Sequence, residues 1–156
     1  MDFKSFPPDK QGYDNIVVFI DRLGKEAISI LCTKEATAKD LAEMFYTHIY
    51  RHHNVLELIV SDYRPQFIST FWNAFCGLIS TKVKLSTAYY LETDRQTEIM
   101  NQYIDQRLRP YVNHYQDNWA SMLPAIDNAQ LTLLHESIGM SPYQLSHGVL
   151  PRKSFD

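Results

Sequence analysis

Leu56-Glu57-Leu58-Ile59-Val60-Ser61-Asp62 is a short apolar run that closes on a carboxylate. A second carboxylate, Glu98, follows with 35 residues in between. A run of that length bounded by polar residues reads as a buried strand. From Thr97 to Val112 the apolar residues Met100, Ile104 and Leu108 recur at helical spacing, so Glu98 falls in the first turn of a helix. An acid at the end of a strand and an acid on a helix that folds back on the sheet are the two features from which the rest of the chain can be read.

Toward the N-terminus, residues 2–6 alternate and are cut off by Pro7-Pro8, which predicts a short strand. After a turn from Pro7 to Gly12, Asn15-Ile16-Val17-Val18-Phe19-Ile20 is a β-branched segment suited to a central strand, and Asp21 ends it. Leu23-Gly24-Lys25 makes a tight connection, and Glu26 to Cys32 forms a third strand. The period then changes. Thr37 caps a helix in which Leu41, Phe45 and Ile49 recur, flanked by Ala38 and His48.

Beyond Asp62, a helix over 68–78 carries Phe71, Phe75 and Leu78, and 82–85 is a brief strand. A loop through Arg95 leads into the Glu98 helix. Residues 119–134 read as helical despite Pro124, and Ser141-Pro142 opens a last short helix. Three strands in a meander, followed by strand–helix alternation, predict an α/β fold with a mixed five-stranded sheet and helices on both faces.

At 156 residues the chain is long enough for one domain with a real core, and 45% hydrophobic with 21% charged residues is ordinary for a globular protein. The net charge of −3 argues against a whole surface built to neutralise phosphates, so any nucleic-acid contact must come from a local patch or through bound cations. Ten tyrosines read as core and interface aromatics ahead of base-stacking platforms. Cys32 and Cys76 lie among apolar residues and read as buried free thiols, and His52-His53 reads as a helix end rather than a metal site. No run of eighteen apolar residues and no signal pattern is present, so the expectation is a soluble, intracellular chain without a membrane partner.

Phosphoryl transfer by two divalent ions, about 3.5–4 Å apart, needs roughly three carboxylates converging from separate elements. Hard oxygen ligands of that kind suit Mg²⁺. Asp62 and Glu98 sit where such ligands belong, and both Asp2 and Asp21 could supply the third. Chemistry alone does not choose between those two. Each acid also has a plainer use: an Asp after a strand commonly forms a turn, and a first-turn Glu complements the helix dipole.

The motifs around these acids resemble the integrase core of Gypsy-type LTR retrotransposons, within the retroviral integrase superfamily. They are Met1-Asp2-Phe3, Gly12-Tyr13-Asp14, Ile20-Asp21-Arg22-Leu23-Gly24-Lys25, Ser61-Asp62-Tyr63-Arg64-Pro65-Gln66-Phe67, the stretch from Leu85 to Glu98, and Gly139-Met140-Ser141-Pro142-Tyr143. The resemblance spans nearly the whole chain. It implies an RNase H-like fold and a polynucleotidyl transferase or endonuclease with an Asp-Asp-Glu triad of Asp2, Asp62 and Glu98. By the same resemblance Asp21 is structural, and the triad is both catalytic and metal-binding, holding two Mg²⁺ (or Mn²⁺) ions.

DNA would be the substrate, processed at its 3′ ends and joined to a target strand, with Lys25, Arg64, Arg95, Gln96 and Asn101 as candidate DNA contacts. The resemblance further implies a homodimer or higher oligomer and a nuclear location. Residues 1–156 then read as an integrase core truncated at its N-terminal strand, without the zinc-binding and C-terminal domains.

Departures from the family pattern cluster near the acids. Arg64 and Arg95 stand where the family has Gly, Tyr90-Leu91 replaces His-Pro, and Ile99 replaces Arg. Arg tolerates positive φ only at a cost, so both loops are expected to differ in shape from the family's. The departures keep a second reading open, a degenerate or co-opted remnant that binds nucleic acid or protein and catalyses nothing.

Overall fold

The computed structural model describes residues 1–54, 59–61, 63–79 and 95–152, apart from the side chains of 95–97. Strands β1 (Asp2–Ser5), β2 (Asn15–Ile20) and β3 (Ala27–Cys32) form an antiparallel meander in the order β1-β2-β3. Asp2 pairs with Val18, and Ile20 pairs with Ala27 across the hairpin. Five of the six residues of β2 are buried, as expected for a strand covered on both faces.

Alternation along β2 divides the core in two. Val17 and Phe19 face helix α1 (Ala38–Phe45) and helix α3 (Pro65–Leu78), joining Leu41, Phe45, Phe71 and Phe75. Ile16 and Val18 face α4 (Arg95–Leu108) and α5 (Leu123–Thr132), joining Met100, Ile104, Leu108 and Trp119. Helices therefore cover both faces of the sheet, as the element order predicts.

Local chemistry sets the helix ends. Thr37 and Asp40 form a reciprocal capping box at the start of α1. The helical path continues through a π-helical turn at Tyr46–Tyr50 into the short α2 (Arg51–His53), so Ile49 stays on the buried stripe while His48 is exposed. His52-His53 is a helix end, and His53 Nε2 lies 3.7 Å from Glu26. Pro65 at the first turn starts α3 three residues earlier than periodicity predicts. The helical run after Asn118 opens with a 3₁₀ turn (Trp119–Met122) before α5, which accommodates Pro124 in its first turn. Ser141 caps α6 (Pro142–His147).

Three expectations need correction or restriction. Leu78, the last residue of α3, is 40% exposed, and Ile68 and Trp72 complete the buried stripe with Phe71 and Phe75 instead. Cys76 is only half-buried, whereas Cys32 is buried and free. The two strands expected at 56–60 and 82–85 lie outside the described residues except for Ile59 and Val60, so only three strands of the expected five are described.

Candidate functional site

β1 carries its side chains to two different environments. Phe3 turns toward the start of α3, its ring 5.0 Å from Tyr63 and 6.4 Å from Phe67. Asp2 and Lys4, on the other face, turn toward α4. Asn101 Nδ2 donates to Asp2 Oδ2 at 2.9 Å, and Lys4 Nζ meets Asp105 Oδ2 at 2.7 Å. These two contacts are successive rungs. Two residues of strand advance about 6.6 Å and four residues of helix about 6 Å, so β1 and α4 run side by side in step.

Continuing the helical stripe backward places Glu98 three residues, about 4.5 Å of rise, before Asn101. Glu98 is exposed, in the first turn of α4, at the end of the helix that meets Asp2. Arg95 and Gln96 belong to that same turn.

The neighbours of Asp62 are tied to the same place. The N-terminal amine of Met1 donates to Val60 O at 2.8 Å, which sets the 59–61 segment beside the head of β1. Ser61 is buried, and its hydroxyl accepts from Tyr63 N–H at 3.3 Å. Asp62 itself lies outside the described residues.

Asp2 shares out its oxygens: Oδ1 accepts the N–H of Phe3 at 2.8 Å and Oδ2 accepts from Asn101. Asn101 Oδ1 is buried and has no hydrogen-bond partner among the described residues. An orphaned amide oxygen beside a carboxylate is a hard-oxygen environment, the donor chemistry a divalent cation or its bound water would meet. Among the described residues, no three His, Cys, Asp or Glu side chains gather as a ligand set.

Asp21 sits at the same end of the sheet but is differently employed. Its Oδ1 accepts Leu23 N–H at 3.1 Å, its Oδ2 accepts Gly24 N–H at 3.0 Å, and its carbonyl accepts Lys25 N–H at 2.8 Å. A Cβ on Gly24 would meet Asp21 Oδ2 at 2.6 Å, so the absence of a side chain there keeps the turn closed. Asp21 is a turn-builder.

The candidate cationic and amide contacts fall in several places. Lys25 adopts φ 61, and its amine bonds back to the carbonyl of Arg22, so it folds onto its own hairpin. Arg64 is exposed at the N-cap of α3 with φ −57, an unstrained value, so the expected cost of Arg at this former Gly position is absent. The amide of Asn101, a candidate DNA contact, is engaged with Asp2 in this structure. Asp127 and Gln130 were not marked by the sequence, and both brace β3 from α5. Their only signal is a three-residue spacing on one helix face.

This α/β arrangement is the fold of integrase catalytic cores. The HTLV-2 integrase catalytic core domain in complex with magnesium superimposes with TM-score 0.63 in its trimeric form, at 18% identity over 94% of this chain and 93% of that one. The dimeric form gives 0.59, at 19% identity over 95% and 92%. A simian T-cell lymphotropic virus intasome in complex with the PP2A regulatory subunit B56 gamma gives 0.67, at 17% identity over 98% of this chain and 54% of that one. In sequence, the chain is 29% identical over 154 residues to the transposon Tf2-3 and Tf2-4 polyproteins of Schizosaccharomyces pombe. The match takes in 99% of this chain, which spans 12% of the length of those relatives. No family model matches the chain.

Proposed function

We propose that this chain is the core of a Gypsy-type retroelement integrase, in which Asp2, Asp62 and Glu98 hold two Mg²⁺ or Mn²⁺ ions for phosphodiester cleavage and strand transfer on DNA. The observation that carries the reading is the Asn101–Asp2 hydrogen bond, which sets the Glu98 turn of α4 against the head of β1. Likeness to the Tf2 polyproteins and to integrase cores, two of the structures being in complex with magnesium, supports it.

The bound cations would polarise the scissile phosphate and lower the pKa of an attacking water or hydroxyl. Asn101 Nδ2, by donating to Asp2 Oδ2, orients the Asp2 carboxylate. Glu98 lies in the first turn of α4, where the positive end of the helix complements a carboxylate. The exposed Arg64, at the start of α3, supplies positive charge for a DNA phosphate. Arg95 and Gln96, in the opening turn of α4, are the other proposed contacts. Association into a dimer or higher oligomer, with a nuclear location, belongs to the same reading.

Calorimetric titration of the chain with Mg²⁺ and Mn²⁺ tests it. Saturable binding that disappears in Asp62→Asn, with metal-dependent joining of a labelled oligonucleotide, is the expected result; no binding at millimolar metal overturns it. A second reading, a binding module without catalysis, draws on Ile99. This apolar side chain is 65% exposed next to Glu98, where the resembled family has Arg. Metal binding without any cleavage or joining would favour that reading.

A further inference from the structure

Three parts of the chain enclose a hollow of about 400 Å³. Ala27 lines it from β3, Ile99, Met100 and Tyr103 from α4, and Leu133 and Leu134 from just past the end of α5. Ala27 and Met100 are buried and make its floor, while Ile99, Leu133 and Leu134 are 65%, 48% and 71% exposed and make its rim. Gln130 ties α5 to the hairpin, accepting Ala27 N–H at 3.2 Å and donating to Lys25 O at 2.6 Å. The turn after α5 is closed by His135 N–H, which donates to Met140 O at 3.0 Å. The walls are thus fixed by the fold's own hydrogen bonds.

The polar groups of this hollow are of one kind. Lys25 and His135 line it, and among the described residues no Asp or Glu does. Tyr103 adds an unmade bond, since its hydroxyl is buried and has no hydrogen-bond partner among the described residues. A buried donor left unpaired costs free energy that a suitable acceptor recovers. Even in a chain of net charge −3, then, the hollow combines apolar walls with a cation, an imidazole and a phenol. That pattern complements a molecule with an apolar body and an anionic oxygen at one end.

We propose that the hollow binds a small amphipathic acid, an alkyl chain of medium length ending in a carboxylate. The chain lies among Ile99, Leu133 and Leu134, and the carboxylate turns toward Lys25, His135 and the Tyr103 hydroxyl. Sites for small molecules typically enclose about 300–1,000 Å³ and are mostly apolar, with a few placed polar groups that fix orientation. Occupancy would take both the alkyl chain and the exposed rim side chains out of water, which is the driving force. The site uses none of the acids of the proposed metal centre and stands independently of that reading.

Two-dimensional amide NMR spectra of the whole chain, titrated in metal-free buffer with octanoate and separately with octanol, test the proposal. Octanoate is expected to shift the amides of Ala27, Ile99 and Leu134 saturably. Octanol, which keeps the alkyl chain and lacks the charge, is expected to bind more weakly. Ile99→Gln with Leu134→Gln, at two exposed positions, is expected to weaken octanoate by about tenfold. Lys25→Gln is expected to bring the acid down to the affinity of the alcohol, and Tyr103→Phe to weaken both. Circular dichroism confirms that each variant is folded. The proposal is overturned by the absence of saturable shifts at millimolar octanoate, or by shifts as large at distant exposed residues such as Tyr46 and Leu150. Folded rim variants that bind as the parent does, or octanol that binds as tightly as octanoate, overturn it as well.

Discussion

Asp127 on α5 grips Ser29 on β3 twice, accepting the backbone N–H at 2.9 Å and the hydroxyl at 2.8 Å. One turn further along α5, Gln130 accepts the N–H of Ala27 at 3.2 Å and donates to Lys25 O at 2.6 Å. Alternate backbone groups on the outer side of β3 are thereby paired with side chains of a helix, which blunts an edge that could otherwise pair with another chain.

Burial pushes the Asp127 carboxyl up to about 6, against the opposing pull of the backbone and then the side-chain hydrogen bonds from Ser29. The native state therefore holds this proton more tightly than the unfolded chain. The stability it contributes is fully present below the ordinary value of 3.8 and is lost as pH rises through about 6. The size is at most on the order of 3 kcal/mol, reduced because the half-buried carboxylate is partly screened by solvent. Urea midpoints measured between pH 4 and pH 8 should show this loss in the parent chain, and Asp127→Asn should flatten it. An unchanged profile in the variant would assign the effect elsewhere.

Asn101→Ala removes the donor that orients Asp2. Loss of such a supporting partner typically lowers metal affinity by about 10- to 100-fold. Titration calorimetry with Mn²⁺ reads the change. The variant should stay folded, because Asn101 lies beside the buried stripe of Met100, Ile104 and Leu108 and not in it.

Asp2→Asn and Asp21→Asn should separate cleanly. The first is expected to abolish metal binding. The second leaves binding intact and lowers stability by about 1 kcal/mol, because an amide can still accept one of the two turn N–H groups. Paired calorimetry and thermal melts check both. Equal loss of binding in the two variants would mean that Asp21 is a ligand after all.

Thr37→Ala breaks the reciprocal cap at the start of α1 by removing the hydroxyl that donates to Asp40 Oδ2 at 2.7 Å and accepts Asp40 N–H at 3.3 Å. It leaves the bond from Thr37 N–H to Asp40 Oδ2 at 2.7 Å. The expected cost is about 1 kcal/mol, a fall of roughly 2–4 °C in Tm for a chain of this size. The same contacts, the backbone one first, hold the Asp40 carboxyl below its ordinary value. Its contribution is therefore present above 3.8 and is lost as the solution becomes more acidic, the opposite sense to Asp127.

Much of this fold could be read in advance because it is written locally. The β-branched run Asn15–Ile20, the Thr37–Asp40 cap and the 100-104-108 stripe each declare an element within a few residues. What escaped was set by contacts distant in the chain. Nothing near Asn101 announces that its amide is taken by a carboxylate 99 residues earlier, or that Asp127 reaches back 98 residues to Ser29. The start of α3 moved to Pro65, because proline favours a helix's first turn, and Leu78 falls at the exposed last position of that helix. For the candidate site, chemistry left Asp2 and Asp21 equal and resemblance preferred Asp2. The structure adds a physical distinction, since Asp21 accepts the N–H groups of its own turn while Asp2 meets Asn101 on the helix that carries Glu98.

The in-step run of β1 and α4 also works as a proofreading device. A slip of one residue in β1 exchanges the two faces of the strand. Asp2 would then be driven among Tyr63 and Phe67, and Phe3 would be left opposite Asn101. Neither misplacement is tolerable, since one buries a charge against rings and the other strands a ring among polar groups. The aromatic trio of Phe3, Tyr63 and Phe67 thus guards the position of a carboxylate that none of its rings is shown to touch.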